Sequence, residues 1–254
     1  MSWRERMVDF LFPPKCPFCR RVTEGQRVCP QCEKALPWTE GKDREQTLPG
    51  GLRCASPLWY EDLARDGILR FKFHGGAGAE VLGALLADCA AERYSGEFDL
   101  VTWVPVSKKR RRKRGYDQTE LLARSACRLW GTEPVSLLRK VTDNPAQSSL
   151  QGAAARRANV LGVYDAVGDC AGKRVLLLDD IVTTGETLRE CARVLRDAGA
   201  AEVLALTLGR TRERKESSPR GISQAVSQSY RSETKYRHCP NRVRQPPGMV
   251  SGCK

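Results

Sequence analysis

The 254-residue chain has no apolar run near the roughly 18 residues that a membrane-spanning helix requires. Its most apolar stretches, Val175–Leu178 and Val203–Leu208, are the length of strands, so no membrane insertion is expected. Met1–Phe12 is charged and has neither an apolar core nor a small-residue cleavage site, which argues against a secretory leader. There is no G-x-x-x-x-G-K-[ST] motif, which excludes an ATP P-loop. Gly76-Ala-Gly78 begins a dinucleotide-like pattern, but Val81 stands where the third glycine belongs. That stretch reads as a loop opening a helix at Glu80. A uniformly basic face is also missing. The net charge is +13, but residues 211–254 carry +7 of it, and Lys108–Arg114 is a run of seven consecutive bases. Without the tail and the run, the rest of the chain is nearly neutral. The charge sits in one basic loop and one basic tail, each a candidate for phosphate contact.

Cysteine, by contrast, is abundant, at eleven residues. Four are clustered near the N-terminus, while Cys89, Cys127, Cys170 and Cys191 are scattered through helix-like or strand-flanking stretches. An odd total with scattered singles suits a reduced, cytoplasmic protein, in which clustered cysteines usually mean metal. Cys16-Pro-Phe-Cys19 and Cys29-Pro-Gln-Cys32 form two C-x2-C turns separated by nine residues. Zinc takes four thiolates tetrahedrally at about 2.3 Å, and two such turns supply all four, leaving no open position. The expected site is structural. The competing readings are a pair of redox C-x-x-C motifs or unrelated surface thiols. Cys54 is either a spare ligand or a partly buried thiol.

Three segments follow from the composition. Residues 1–50 are Cys/Pro-rich and form the expected zinc module. Residues 51–210 alternate strand-like and helix-like patterns. Residues 211–254 are polar and Ser/Arg-rich, with too few large apolar residues to order themselves. In the middle segment, Asp99–Val106, Arg174–Asp179 and Ala201–Leu208 read as buried strands. Glu80–Arg93, Asp117–Trp130 and Glu186–Ala198 read as helices. Strand–helix–strand at this spacing is a βαβ unit, so the fold class is α/β with a parallel sheet.

The most informative stretch runs from Val175 to Leu188. A buried strand ends in Asp179 and Asp180, and a turn containing Thr183, Thr184 and Gly185 opens a helix at Glu186. Backbone N–H groups at a helix start attract phosphate, glycine lets the backbone approach, and Thr183, Thr184 and Thr187 add hydroxyl donors. The paired acids are placed to hold two hydroxyls of a ribose whose 5′-phosphate sits in the loop, at the carboxyl end of a strand.

Asp179–Leu188 resembles the phosphoribosyl pyrophosphate (PRPP) loop of type I phosphoribosyltransferases. The chain as a whole resembles the ComF family of competence-related phosphoribosyltransferase-like proteins. The likeness is carried by the Cys-Pro-x-Cys turns, Phe71-Lys-Phe-His-Gly75, Val104-Pro-Val106, Arg114-Gly-Tyr-Asp-Gln118, Pro145-Ala-Gln147 and Arg156-Arg-Ala-Asn-Val160, over roughly Phe10–Arg210. It implies a phosphoribosyltransferase core behind a zinc module, with a role in natural transformation and DNA uptake. Asp179 and Asp180 would contact the ribose hydroxyls, and Thr183, Thr184, Gly185, Glu186 and Thr187 the 5′-phosphate. Val104–Ser107, including Val106 and Ser107, would form the pyrophosphate loop, and Mg²⁺ would arrive with the pyrophosphate. Some purine-specific relatives have a carboxylate where this chain has Thr183, so no acid or base for a purine is visible.

Lys108–Arg114 reads as a cationic lid over the pyrophosphate, a contact for single-stranded DNA or RNA backbone, or a solvated loop. Arg114 is the base expected to face the site. Lys72 and His74 precede a Gly-rich turn, and either could face phosphate. Expected partners are PRPP and, as the alternative function, single-stranded DNA or competence proteins of the uptake machinery.

Overall fold

A computed structural model of the chain describes residues 13–23, 25–73, 78–142 and 162–212. His74, Pro145–Gln147, Arg156–Val160 and the tail beyond Arg212 lie outside the described residues.

The second cysteine turn opens the short helix α1 (Pro30–Ala35), with proline in its first turn, where a missing N–H costs nothing. A hairpin follows, β1 (Glu45–Leu48) against β2 (Leu52–Ala55). Next come β3 (Leu58–Trp59), α2 (Asp62–Phe73) and α3 (Ala79–Arg93). The chain continues through β4 (Leu100–Trp103), α4 (Lys108–Arg114), α5 (Gln118–Leu129) and the small antiparallel pair β5 (Leu138–Lys140) and β6 (Tyr164–Ala166). It closes with β7 (Arg174–Val182), α6 (Glu186–Asp197) and β8 (Glu202–Arg210).

The main sheet has the order β1-β2-β8-β7-β4, with β3 also paired to β8. Every pairing in it is parallel except that of β1 with β2. Alternation along the central strands divides the core. Leu176, Leu178, Leu204 and Leu206 face one side, with residues of α2, α3 and α5; Val175, Leu177, Val203 and Ala205 face the other, with residues of α6. A strand covered on both faces has no polar side to show, which is why its sequence is a continuous apolar run.

The structure corrects several sequence expectations. The α/β core begins before residue 51. The expected boundary falls in the turn of the β1–β2 hairpin, so residues 45–48 belong to the main sheet. It also extends past Arg210: the Thr211 N–H bonds to Val182 O at 3.1 Å, and the Arg212 guanidinium lies 4.4 Å from the Trp59 ring centre. β7 does not end at Asp179. It runs to Val182, because Ile181 and Val182 keep their parallel partners Gly209 and Arg210 in β8. The expected basic loop is a helix, α4. Ser107 caps its start by accepting the Arg110 N–H, and Gly115 stops it at φ 82°, a left-handed conformation that costs glycine little.

The N-terminal knuckle is not an appendage. Phe18 is buried in the same core as α2 and α3, and its ring fills the space beside Gly67, where a Cβ would lie 2.4 Å from Phe18 Cδ1. Arg70 donates to the Phe18 carbonyl, and Pro17 packs where a Cβ on Gly78 would stand. No helix among the described residues is long and apolar enough to cross a membrane.

Candidate functional site

The first constellation is the cysteine cluster. The Cys16 N–H bonds to Arg21 O, and the Arg20 N–H bonds back to Cys16 O, curling the first turn tightly enough that Arg20 adopts φ 67°. The second turn is the start of α1, with the Glu33 N–H on Cys29 O. All four sulfurs lie within 4.8 Å of one another. Thiolates at the corners of a tetrahedron about 2.3 Å from zinc stand roughly 3.8 Å apart, so the four fit one ion. Burial works to raise the Cys19 thiol, but the Arg21 amide and the neighbouring cysteines outweigh it and bring it down to about 7. Cys54 is buried away from the cluster, in the core on the α6 side of the sheet, and is not a fifth ligand.

The second constellation lies at the carboxyl end of β7. Asp179 and Asp180 are adjacent, and the Asp180 N–H donates to Asp179 Oδ1 at 2.8 Å. Burial, then the charge of Asp180, pushes the Asp179 carboxyl up to about 8. Thr183 is exposed and Thr184 and Thr187 are half-buried. Gly185 adopts φ 74° just before α6, a left-handed conformation that favours glycine, and a Cβ there would press on the Leu48 methyls at 2.9 Å. The start of α6 has no side-chain cap, and the buried Thr184 Oγ1 has no hydrogen-bond partner. Uncapped helix N–H groups beside an unsatisfied hydroxyl form a ready site for an anion. Glu186 does not join it as a free carboxylate, because it pairs with Arg189 at 2.9 Å.

The remaining expected site residues meet this loop unevenly. The Val106 N–H is spent on Asp117 Oδ2 at 2.9 Å, and Ser107 Oγ accepts the Arg110 N–H at 3.2 Å. Arg114, the last residue of α4, lies over the Phe73 ring at 4.9 Å. Lys72, which the sequence offered only beside His74, reaches Asp180 Oδ2 at 2.6 Å. Two supports were not anticipated. Buried Asp117 caps α5 through the Thr119 and Glu120 amides while holding Val106. Tyr116 Oη and Gln118 Nε2 donate to the carbonyls of Phe71 and Lys72, each at 3.2 Å. Three segments quoted for the family resemblance, 71–73, 114–118 and 179–188, therefore converge in space.

A family model for the phosphoribosyl transferase domain matches residues 113–229, and one for the double zinc ribbon domain matches residues 7–43. Competence protein ComFC of Bacillus subtilis (strain 168) is 31% identical over 203 residues, covering 77% of this chain and 78% of that one. The chain belongs to the ComF family. Within that family the DNA utilization protein YhgH of Escherichia coli (strain K12) is 30% identical over 218 residues, covering 77% of this chain and 90% of that one. Among solved structures, the glutamine PRPP amidotransferase from B. subtilis matches at 25% identity and a TM-score of 0.37, over 55% of this chain and 30% of that one. By its two family matches, its four-cysteine cluster and its mostly parallel sheet, this ComF chain joins a zinc ribbon to a phosphoribosyltransferase-like fold. The zinc ribbon match ends at residue 43, just before β1 enters the main sheet. The transferase match continues to residue 229, beyond Arg210, where the resemblance drawn from motifs stops.

Proposed function

We propose that the chain binds PRPP with Mg²⁺ at the β7–α6 loop and serves DNA uptake in natural competence, as the names of its relatives suggest. The observation that carries the binding is the pairing of an acid pair with an unsatisfied anion site four to six residues after Asp180. Asp179 and Asp180 offer acceptors for two ribose hydroxyls. Thr184 Oγ1 and the uncapped start of α6 offer donors for a 5′-phosphate. Oxygen donors of this kind suit Mg²⁺, which keeps several waters and shares phosphate oxygens; when bound, it would neutralise charge on the pyrophosphate. Val106, Ser107 and Arg114 flank the pyrophosphate side in this reading. Thr183 supplies no carboxylate for a departing or attacking purine, so binding, rather than purine transfer, is what these residues favour.

The test is calorimetric titration of PRPP with Mg²⁺ into the zinc-loaded full chain. Wild type should bind one equivalent, and Thr184→Val should bind more weakly by about tenfold, the worth of one hydrogen bond to a charged group. Equal affinity in the two would remove the loop from ligand binding.

A second reading, contact with single-stranded DNA, is favoured by one observation. Lys108, Lys109, Arg112 and Lys113 of α4 are exposed and make no ion pair among the described residues, whereas Arg111 pairs with Glu120 at 3.5 Å. Seven helical residues span only about 10 Å, so this face reaches fewer phosphates than an extended loop would. Replacing these four residues with alanine should flatten the salt dependence of DNA binding by about two to three log units per log unit of salt, at roughly 0.7 per phosphate contact. An unchanged slope would set this reading aside.

A further inference from the structure

Lys72 stands one residue from the end of α2, between buried Phe71 and exposed Phe73. Its side chain is 28% exposed and its partner Asp180 12%, so the pair is largely withdrawn from water. Burial works to lower the ammonium, but Asp180 and then Asp179 outweigh it, and the lysine is held charged. Arg114 is the cation that opposes it.

The backbone beneath this lysine is tied from two directions. Tyr116 and Gln118 hold the carbonyls of Phe71 and Lys72. One turn earlier, Gly67 and Arg70 are locked onto the zinc knuckle at Phe18. The four-carbon stem beyond that fixed backbone is free to re-aim its three donors. Adjacent carboxylates repel, a cation beside them relieves that repulsion, and a divalent ion would compete for the same oxygens. In the free chain the ammonium takes that place.

We propose that Lys72 is an exchangeable counter-ion of the Asp179–Asp180 pair. In the free chain it neutralises the pair and excludes a bare divalent cation. On ligand binding it is surrendered to the anionic group on C1 of a ribose 5-phosphate. The second half rests on the PRPP reading; the first stands on the salt bridge alone. The direction of release follows from its neighbours. Lys72 approaches the acids in company with Arg114 from the end of α4, whereas the phosphate-binding donors belong to the segment leading into α6. When ribose hydroxyls take the carboxylate oxygens, the nearest anion left for the displaced ammonium is the 1-pyrophosphate. Lys72 is then a specificity-determining residue that favours PRPP over ribose 5-phosphate.

The test uses the zinc-loaded full chain as wild type, Lys72→Met and Lys72→Arg, with melting curves recorded for each. In the first arm the probe is Mn²⁺ alone, followed by electron paramagnetic resonance. Lys72→Met should bind Mn²⁺ at least about tenfold more tightly than wild type, the effect of removing one resident positive charge. In the second arm PRPP and ribose 5-phosphate are titrated with Mg²⁺. Lys72→Met should weaken PRPP about 10- to 100-fold, the worth of a charged hydrogen bond, and leave ribose 5-phosphate within about twofold. Lys72→Arg, which keeps the charge, should preserve the preference for PRPP. Equal weakening of both ligands, or Mn²⁺ binding unchanged in Lys72→Met, would make the lysine a structural prop and overturn the proposal. A wild type that binds neither sugar phosphate overturns the PRPP reading and the second half with it; the Mn²⁺ arm still decides whether Lys72 guards the acids.

Discussion

The cysteine cluster and the β7–α6 loop are both built around short turns, yet one is closed and the other open. In the cluster, two local turns bring four sulfurs to one point, and every ligand position is used by the chain itself. In the loop, two carboxylates, an unsatisfied hydroxyl and an uncapped helix start leave binding capacity unspent. The closed site stabilises the fold, and the open one stores unfavourable electrostatics that a ligand can relieve. The two are also joined. The first cysteine turn packs Phe18 against Gly67 of α2, and the same helix delivers Lys72 to Asp180 five residues later. Rigidity at the metal end thus becomes position at the ligand end.

Removing the metal should break this comparison most visibly. Structural zinc in such sites is worth on the order of 10 kcal/mol of folding energy. Because Cys16, Phe18 and Cys29 share a core with α2 and α3, chelation should destabilise that core and not only the ribbon. A drop of more than about 10 °C in the melting temperature of the main transition is expected, at roughly 2–4 °C per kcal/mol for a chain this size. A chelated protein that keeps its main transition would show the ribbon to be independent.

The next largest effect belongs to the open site. Asp179→Asn with Asp180→Asn should weaken PRPP by at least about 100-fold, since two charge-assisted hydrogen bonds are lost. The fold should survive, as measured by circular dichroism; unchanged affinity would remove the ribose role.

Gly67→Ala addresses the joint between the two. A methyl 2.4 Å from the Phe18 ring must shift it, at about 1–3 kcal/mol for overpacking. Both melting temperature and PRPP affinity should fall, and Phe18→Leu in the same chain should restore part of each. A loss of stability with ligand affinity intact would uncouple the regions.

The smallest effect is electrostatic. The folded-state pKa of Asp179 is raised above its unfolded value, to about 8, so the folded chain holds this proton more tightly. Its carboxyl therefore costs stability increasingly as pH rises from about 4 through 8. Asp179→Asn should gain in melting temperature over wild type as pH rises from about 5 to about 8.5, the gap widening across that window. A gap of equal size at both pH values would contradict the stored-charge view.

Much of this was legible in the residues, and the gaps have physical causes. The core strands β4, β7 and β8 and the helices α3, α5 and α6 follow from apolar runs and 3.6-residue periodicity, because burial on both faces leaves little ambiguity. The cysteine spacing announced its site because both turns are local. The short strands β1, β2 and β3 carry no such signal; Glu45–Leu48 is largely polar, and its place depends on pairing with a partner strand. Helix α4 is hidden by its charge. Seven adjacent bases repel one another, so the run reads as a loop unless its Ser107 cap and Gly115 stop are weighed. The Lys72–Asp180 pair joins residues more than 100 positions apart, and no local pattern predicts which lysine fills an acid pair. Its traces were the Phe71-Lys-Phe segment of the family resemblance and the place of Lys72, with His74, before a Gly-rich turn.

The most direct test is a crystal structure of the zinc-loaded full chain grown with PRPP and Mg²⁺. The expected density places the 5′-phosphate on Thr184 Oγ1 and the start of α6, the ribose hydroxyls on Asp179 and Asp180, and the Lys72 ammonium on the pyrophosphate. A phosphate bound away from this loop, or Lys72 still paired with Asp180 beside a bound ligand, would contradict it.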